Sequence, residues 1–509
     1  MASSPHAKLP ADCWLLILDI LPFQALLSLS KTSHALRASA EPFLYRSIHW
    51  DWKHPLLERM LMLLRTLSDR PYVANYIWHV SMNNWRAPFQ TEETIQIGSS
   101  DGDWVAKQHR FRPTLRWARM LVRAAKYPAK MEQEWVTFLS NGDEHAYATI
   151  LLSLLHNLRS LRLDFLFVVK NGGMPGTMLH HSLFGNSPPD LLSRFTKLEM
   201  VDYGSNFVPW FQLPSLKILE IWLPSMAGIT WLTDPVAMLN CPHFFSLHNL
   251  IISRSSTSTE EIGTLLSKIP SLKCVHLGLT YRCMRTTDFL RESPHLLDAL
   301  EAKRKTLQHL SISVEIMPAC AENYMLPFYE DVGCNLFRDV RHRLPNLKTI
   351  EIPLYLLVGW GTGKSKLQDV LPEGIRTIHI RPDFYLHENM PFFSTEVLAA
   401  LIELVTQDDR HLGSLQRVSY EGPPNLVYGW EDYERTSFGM LFAGQDASEL
   451  CHQRGIALSA LPPCFLPGNA IMREQWLQGA TLDPDVGPIR HVWPFFYSEV
   501  FPPFMRGVH

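Results

Sequence analysis

The stretch most like a chemical site is GWGTGKS, residues 359–365. A phosphate-cradling loop needs four residues between its first glycine and the closing Gly-Lys-Ser/Thr, so that successive backbone N–H groups wrap the phosphate. Counting back from Gly363 puts that first glycine on Val358, and Gly359 leaves only three residues between. The segment reads as a loop, with no nucleotide site. Histidines are numerous, yet no H-E-x-x-H pair sets two imidazoles one helical turn apart for zinc. His180 and His181 sit in a Gly-rich stretch and read as a solvated pair. No G-x-S-x-G elbow presents a nucleophile. Eight cysteines are scattered from 13 to 464 with no C-x-x-C pair, so neither a zinc knuckle nor a disulfide framework is indicated. No catalytic residue, metal ligand or cofactor is expected.

One basic motif has geometry. In TLRWARMLVRAAKYPAK, residues 114–130, a continuous helix would place Arg116, Arg119, Arg123, Lys126 and Lys130 within ~80° of arc. Such a face suits an acidic or phosphorylated segment, and equally the solvated back of a helix. The chain as a whole carries a net charge of −3, which gives no global pull toward nucleic acid or membrane.

The N-terminal LPADCWLLILDILPFQALLSLS, residues 9–30, must be positioned by something. Asp19, Pro22 and Gln24 interrupt it, so it reads neither as a secretory signal nor as a membrane span. Pro10 opens a helix that Pro22 stops, a second runs from Gln24 to Ser30, and a third leads toward Pro42. Three short helices bury too little surface to hold this much apolar area alone, so part of it must meet a partner.

The opening Leu9-Pro10, the pairs Ile17-Leu18 and Leu21-Pro22, Leu26-Leu27-x-Leu29, Ser33, Leu36-Arg37 and the closing LYRSI together resemble an F-box, of the kind seen in filamentous-fungal proteins. Asp12 stands where a glutamate is common, and Ala25 where an aspartate commonly caps the second helix. The resemblance implies docking on a Skp-type adaptor, and through it on a cullin-RING ubiquitin ligase. The adaptor-facing residues it implies are Leu9, Pro10, Leu15, Ile17, Leu18, Leu21, Pro22, Leu26, Leu27, Leu29 and Leu36.

The remainder repeats a phrase. PSLKILEIWLP, PSLKCVHLGL and PNLKTIEIPL share the template L-x-x-L-x-L, which recurs from Ile77/Val80/Met82 through to Leu415/Val418/Tyr420. Apolar residues two apart are the alternation of a half-buried strand. Helix-like stretches such as TEEIGTLLSKI and TEVLAALIELV precede many of them. Helix then strand in tandem predicts a mixed α/β fold, an F-box over residues 5–50 followed by a degenerate leucine-rich-repeat solenoid of about ten to eleven units. The solenoid is assigned to 56–465, with insertions at 83–130 and 170–190 and a capping tail at 466–509. The spacing of leading residues runs from 18 (198 to 216) to 81 (77 to 158), so the repeat is irregular.

The expected function is a non-catalytic, intracellular (cytoplasmic or nuclear) substrate receptor of an SCF-type ubiquitin ligase. Its expected partners are the Skp-type adaptor and an unnamed protein target, without nucleic acid or membrane. The rivals are an adaptor-bound scaffold and a small-molecule-gated receptor. Residues between and just after the apolar strand positions would line the concave, solvated face for the target: Arg162, Asp202, Glu220, Trp222, His276, Glu351, His379 and Arg381.

Overall fold

The computed structural model describes residues 10–51, 56–83, 104, 108–163, 197–203, 213, 215–222, 244, 246–255, 257–282, 295–317, 337, 339–359, 365–381, 394–406, 413–421 and 451–461. The chain divides into two compact units, Met1–Leu216 and Lys217–His509.

The first unit begins with helices α1 (Ala11–Ile20), α2 (Phe23–Ser30) and α3 (His34–Arg46). Pro10 is the N-cap of α1 rather than a residue of its first turn. Helix α2 starts at Phe23 with Pro22 as N-cap and no side-chain cap, so Ala25 is its third residue and not the capping position. Ser33 does cap α3, its hydroxyl accepting from the Leu36 N–H at 3.2 Å. Helix α3 runs through Pro42 to Arg46 and passes directly into strand β1 (Ser47–Asp51).

Strand β1 lies in the stretch assigned to the F-box alone, and it pairs in parallel with β2 (His79–Asn83). The sheet continues through β3 (Ser160–Leu163) and β4 (Met200–Tyr203). Ile48 and Trp50 register with Val80 and Met82, so the repeat phrase already starts as Tyr45-x-x-Ile48-x-Trp50. Helix α4 (Leu56–Asp69) leads to Arg70, whose guanidinium meets Glu41 and Tyr45 of α3. A 3-10 helix (Pro71–Tyr76) and helices α5 (Arg112–Ala124), α6 (Ala129–Ser140) and α7 (Glu144–Ser153) also belong to this unit. The insertion predicted over 83–130 thus holds ordered helix from Arg112 onward. Its residues 84–103, the 170–190 insertion and the 466–509 tail lie outside the described residues.

In the second unit β5 (Ile218–Trp222), β6 (Asn249–Ser255), β7 (Cys274–Arg282), β8 (His309–Met317), β9 (Thr349–Pro353), β10 (Thr377–Arg381), β11 (Arg417–Glu421) and β12 (Ala457–Leu461) pair in sequence order, all in parallel. A parallel neighbour needs a long return, and helices supply some of these: α8 (Thr259–Ser267) before β7 and α9 (Ser394–Thr406) before β11. Leu250, Val275, Leu310, Ile350, Ile378 and Val418 stand in one row and are fully buried. One backbone contact recurs at each step from β5 to β11. The carbonyl just before one strand accepts two successive N–H groups of the next repeat, as His248 does from Lys273 (2.7 Å) and Cys274 (3.0 Å).

Helix α8 carries a full capping box: Ser258 accepts from the Glu261 N–H, and the Glu261 carboxylate accepts from the Ser258 N–H. Ser258→Ala should lower the stability of the second unit by about 1 kcal/mol, read as a shift of the urea midpoint at unchanged slope.

Gly359 follows the short helix Leu354–Val358 and takes φ +81°, a left-handed conformation suited to glycine. Residues 360–364 of the GWGTGKS stretch lie outside the described residues.

Candidate functional site

The first helix sorts its apolar residues onto two faces. Trp14, Leu18 and Leu21, spaced i, i+4, i+7, pack inward with Leu26, Leu29, Ala40, Phe43 and Leu44. Leu18 is fully buried, and Leu26 and Leu36 nearly so. The opposite face stays open: Leu15 is 48% exposed, Leu16 67%, Ile20 81% and Phe23 58%. Asp12 and Asp19 flank it, and Asp19 pairs with Arg46. Four large apolar side chains left in water on two adjoining helices make a patch that association would cover.

The residues of the expected contact set differ in exposure in the free chain. Leu18 and Leu26 belong to the core shared by the three helices, and Leu36 is also buried. Pro10, Leu15 and Pro22 are exposed as expected, Ile17, Leu21, Leu27 and Leu29 are half-buried, and Leu9 lies outside the described residues. Leu16, Ile20 and Phe23, outside the expected set, are exposed beside them. The signal was present: Asp12, Leu16, Asp19 and Ile20 share one helical face, and its two charges mark that face as outward.

The strand residues expected on a solvated face are placed otherwise. Glu220, His276, Glu351, His379 and Arg381 sit at the predicted strand positions, yet each is at most 4% exposed. Both faces of β9 and β10 are buried along their length. Parallel strands are commonly covered on both sides, and polar side chains tolerate it when they pair laterally. Here His276 Nδ1 meets Ser311 Oγ at 2.6 Å, and His379 Nδ1 meets Ser419 Oγ at 2.9 Å, each across one strand step. Arg381 donates to Glu351 at 2.8 Å with both side chains 2% exposed. Arg162 is half-buried, and the side chains of Asp202 and Trp222 lie outside the described residues.

The same cross-strand pairing occurs in the first unit, where His79 Nδ1 meets Ser160 Oγ at 3.0 Å. Trp78 beside it has the Arg46 and Arg159 guanidiniums over its ring, at 5.0 and 4.2 Å. Burial, then Arg46 and Arg159, pull the His79 pKa from 6.5 down to about 4. The unfolded chain therefore binds a proton near pH 6.5 that the folded chain refuses until about 4. Stability should fall as pH drops through that window, and His79→Gln should flatten the slope in a melting series. An unchanged slope would remove His79 as its source.

The basic helix is shorter than predicted. Helix α5 ends at Ala124, Lys126 turns out of it at φ +53°, and Lys130 belongs to α6. Arg116 and Arg123 are exposed, Arg123 lies 3.6 Å from Glu132, and Arg119 is half-buried against Ser140. The five charges do not form one continuous stripe. Among the described residues, no group of three His, Cys, Asp or Glu side chains is placed to hold a metal ion. None of the described helices is long and apolar enough to cross a membrane.

Comparison with known proteins matches residues 7–41 to the F-box domain. The match spans α1, α2 and the first half of α3. It supports an F-box protein; such domains generally bind Skp-type adaptors, and the proteins bearing them are generally non-catalytic adaptor subunits. No curated protein matches the chain.

Proposed function

We propose that the chain is the substrate-recognition subunit of an SCF-type cullin-RING ubiquitin ligase. The observation that carries this is the coincidence of the F-box match at 7–41 with an open apolar face formed by Leu15, Leu16, Ile20 and Phe23. That face docks on the Skp-type adaptor, each large side chain contributing about 1.5–3 kcal/mol when fully covered. The parallel helix-strand array that begins at β1 is a degenerate leucine-rich-repeat solenoid and holds the target. Holding raises the target's effective concentration at the ligase, whose other subunits transfer ubiquitin. The chain acts inside the cell as a bridge without chemistry of its own. Its relation to fungal F-box proteins of the same build rests on the phrases LYRSI and PSLK/PNLK.

The experiment is an affinity capture from cells with and without proteasome inhibition. Proteins that accumulate on the chain only under inhibition, and only while the open apolar face is intact, are its targets. Captured partners whose abundance ignores both conditions would make the chain an adaptor-bound scaffold instead.

A further inference from the structure

The position just before each of the strands β5 to β10 carries a consistent chemistry. Reading from β5 to β10, these residues are Lys217, His248, Lys273, Gln308, Lys348 and Arg376, with no carboxylate among them. The recurring backbone contact fixes them: Lys348 N–H donates to the Gln308 carbonyl at 2.8 Å, and Arg376 N–H to that of Lys348 at 2.7 Å. The row therefore advances by the strand spacing, about 4.8 Å per step. Lys217, Lys273 and Arg376 are exposed, and His248, Gln308 and Lys348 half-buried. Among the described residues, neither Lys273 nor Arg376 has an acidic side chain paired with it. Among the described residues, Lys348 meets only the neutral Gln308 amide, at 2.9 Å. The chain as a whole is slightly acidic, at −3, so this concentration of cations is local.

We propose that the strand-entry edge of β5–β10 is a docking surface for an extended acidic segment of a target protein. The inference rests on the receptor reading for its biological sense, and on the row itself for its chemistry. An extended chain places same-side residues about 6.7 Å apart. Acidic side chains at every second residue thus come within reach of long Lys and Arg stems standing one or two strand steps apart. The row also argues against nucleic acid. Single-stranded nucleic acid is held by aromatic side chains on which bases stack, and this row has none.

The test uses the full-length chain and two labelled probes: a peptide of about eight to ten residues alternating glutamate and serine, and an oligouridylate of similar reach. The peptide binds, more weakly as salt rises from about 50 to about 300 mM. Lys273→Glu, Lys348→Glu and Arg376→Glu together reduce its affinity roughly tenfold or more, since charge complementarity is reversed along the row. The arginine substitutions Lys273→Arg and Lys348→Arg retain binding, as does Arg112→Glu with Arg116→Glu on α5. Peptide binding that survives the triple reversal, or that the α5 variant abolishes, overturns the proposal. Oligouridylate bound more tightly than the peptide and lost on triple reversal makes the row a nucleic-acid surface and also overturns it. Adaptor co-purification is measured in parallel. A chain that binds peptide but no adaptor keeps this surface and loses the receptor reading; one that binds adaptor but no peptide does the reverse.

Discussion

Ile20→Asp combined with Phe23→Asp should abolish co-purification with a Skp-type adaptor while leaving the melting temperature of the chain unchanged. Both side chains are more than half exposed in the free chain, so their replacement removes little internal packing. Each contributes about 1.5–3 kcal/mol once covered, and two together therefore account for about 3–6 kcal/mol. That is roughly a hundred- to ten-thousandfold in affinity, enough to clear a pull-down completely. Leu18→Asp is the instructive contrast. Leu18 is fully buried among Trp14, Leu26 and Ala40, so an aspartate there places a carboxylate in the helical core. It should lose the adaptor only by unfolding the three helices, visible as lost helical signal. Adaptor binding that persists in the double variant would place the docking face elsewhere.

The second large effect concerns the ion pair inside the second unit. Glu351→Ala should destabilise the fold by about 3–5 kcal/mol, because Arg381 keeps its charge at 2% exposure with its carboxylate partner gone. Replacing both partners by apolar residues, Glu351→Leu with Arg381→Met, should recover most of that loss. Denaturant midpoints of the three proteins decide the matter. A Glu351→Ala midpoint equal to wild type would mean that water reaches the pair. Glu220, also 2% exposed, falls under the same argument, so its charge reversal tests folding before it tests any target.

What the sequence disclosed, and what it concealed, follows from where side-chain type constrains structure. Every L-x-x-L-x-L phrase from Ile77 to Tyr420 ends within a parallel strand, because apolar residues two apart have one efficient way to be buried. The three N-terminal helices were equally legible from Pro10, Pro22 and Ser33. Strand β1 was not, since Tyr45 and Trp50 replace leucines in its phrase and the residues before it are helical. The polar strand residues misled for a physical reason. His276, Glu351 and His379 look solvent-facing one at a time, and their burial depends on Ser311, Arg381 and Ser419, which lie 30 to 40 residues away. No local pattern carries that information. The outward face of α1 was within reach, because Asp12 and Asp19 mark it, but an almost uniformly apolar helix hides its own orientation until the packing of Trp14, Leu18 and Leu21 is known.

The central claim is that α1 and α2 present a preformed face to an adaptor, and calorimetric titration of the full-length chain with a purified Skp-type adaptor tests it most directly. The expected result is saturable one-to-one binding with a negative heat-capacity change, the mark of apolar surface leaving water. The Ile20→Asp, Phe23→Asp variant should give no heat of binding under the same conditions. Absence of binding by the wild-type chain, or undiminished binding by the folded variant, would contradict it.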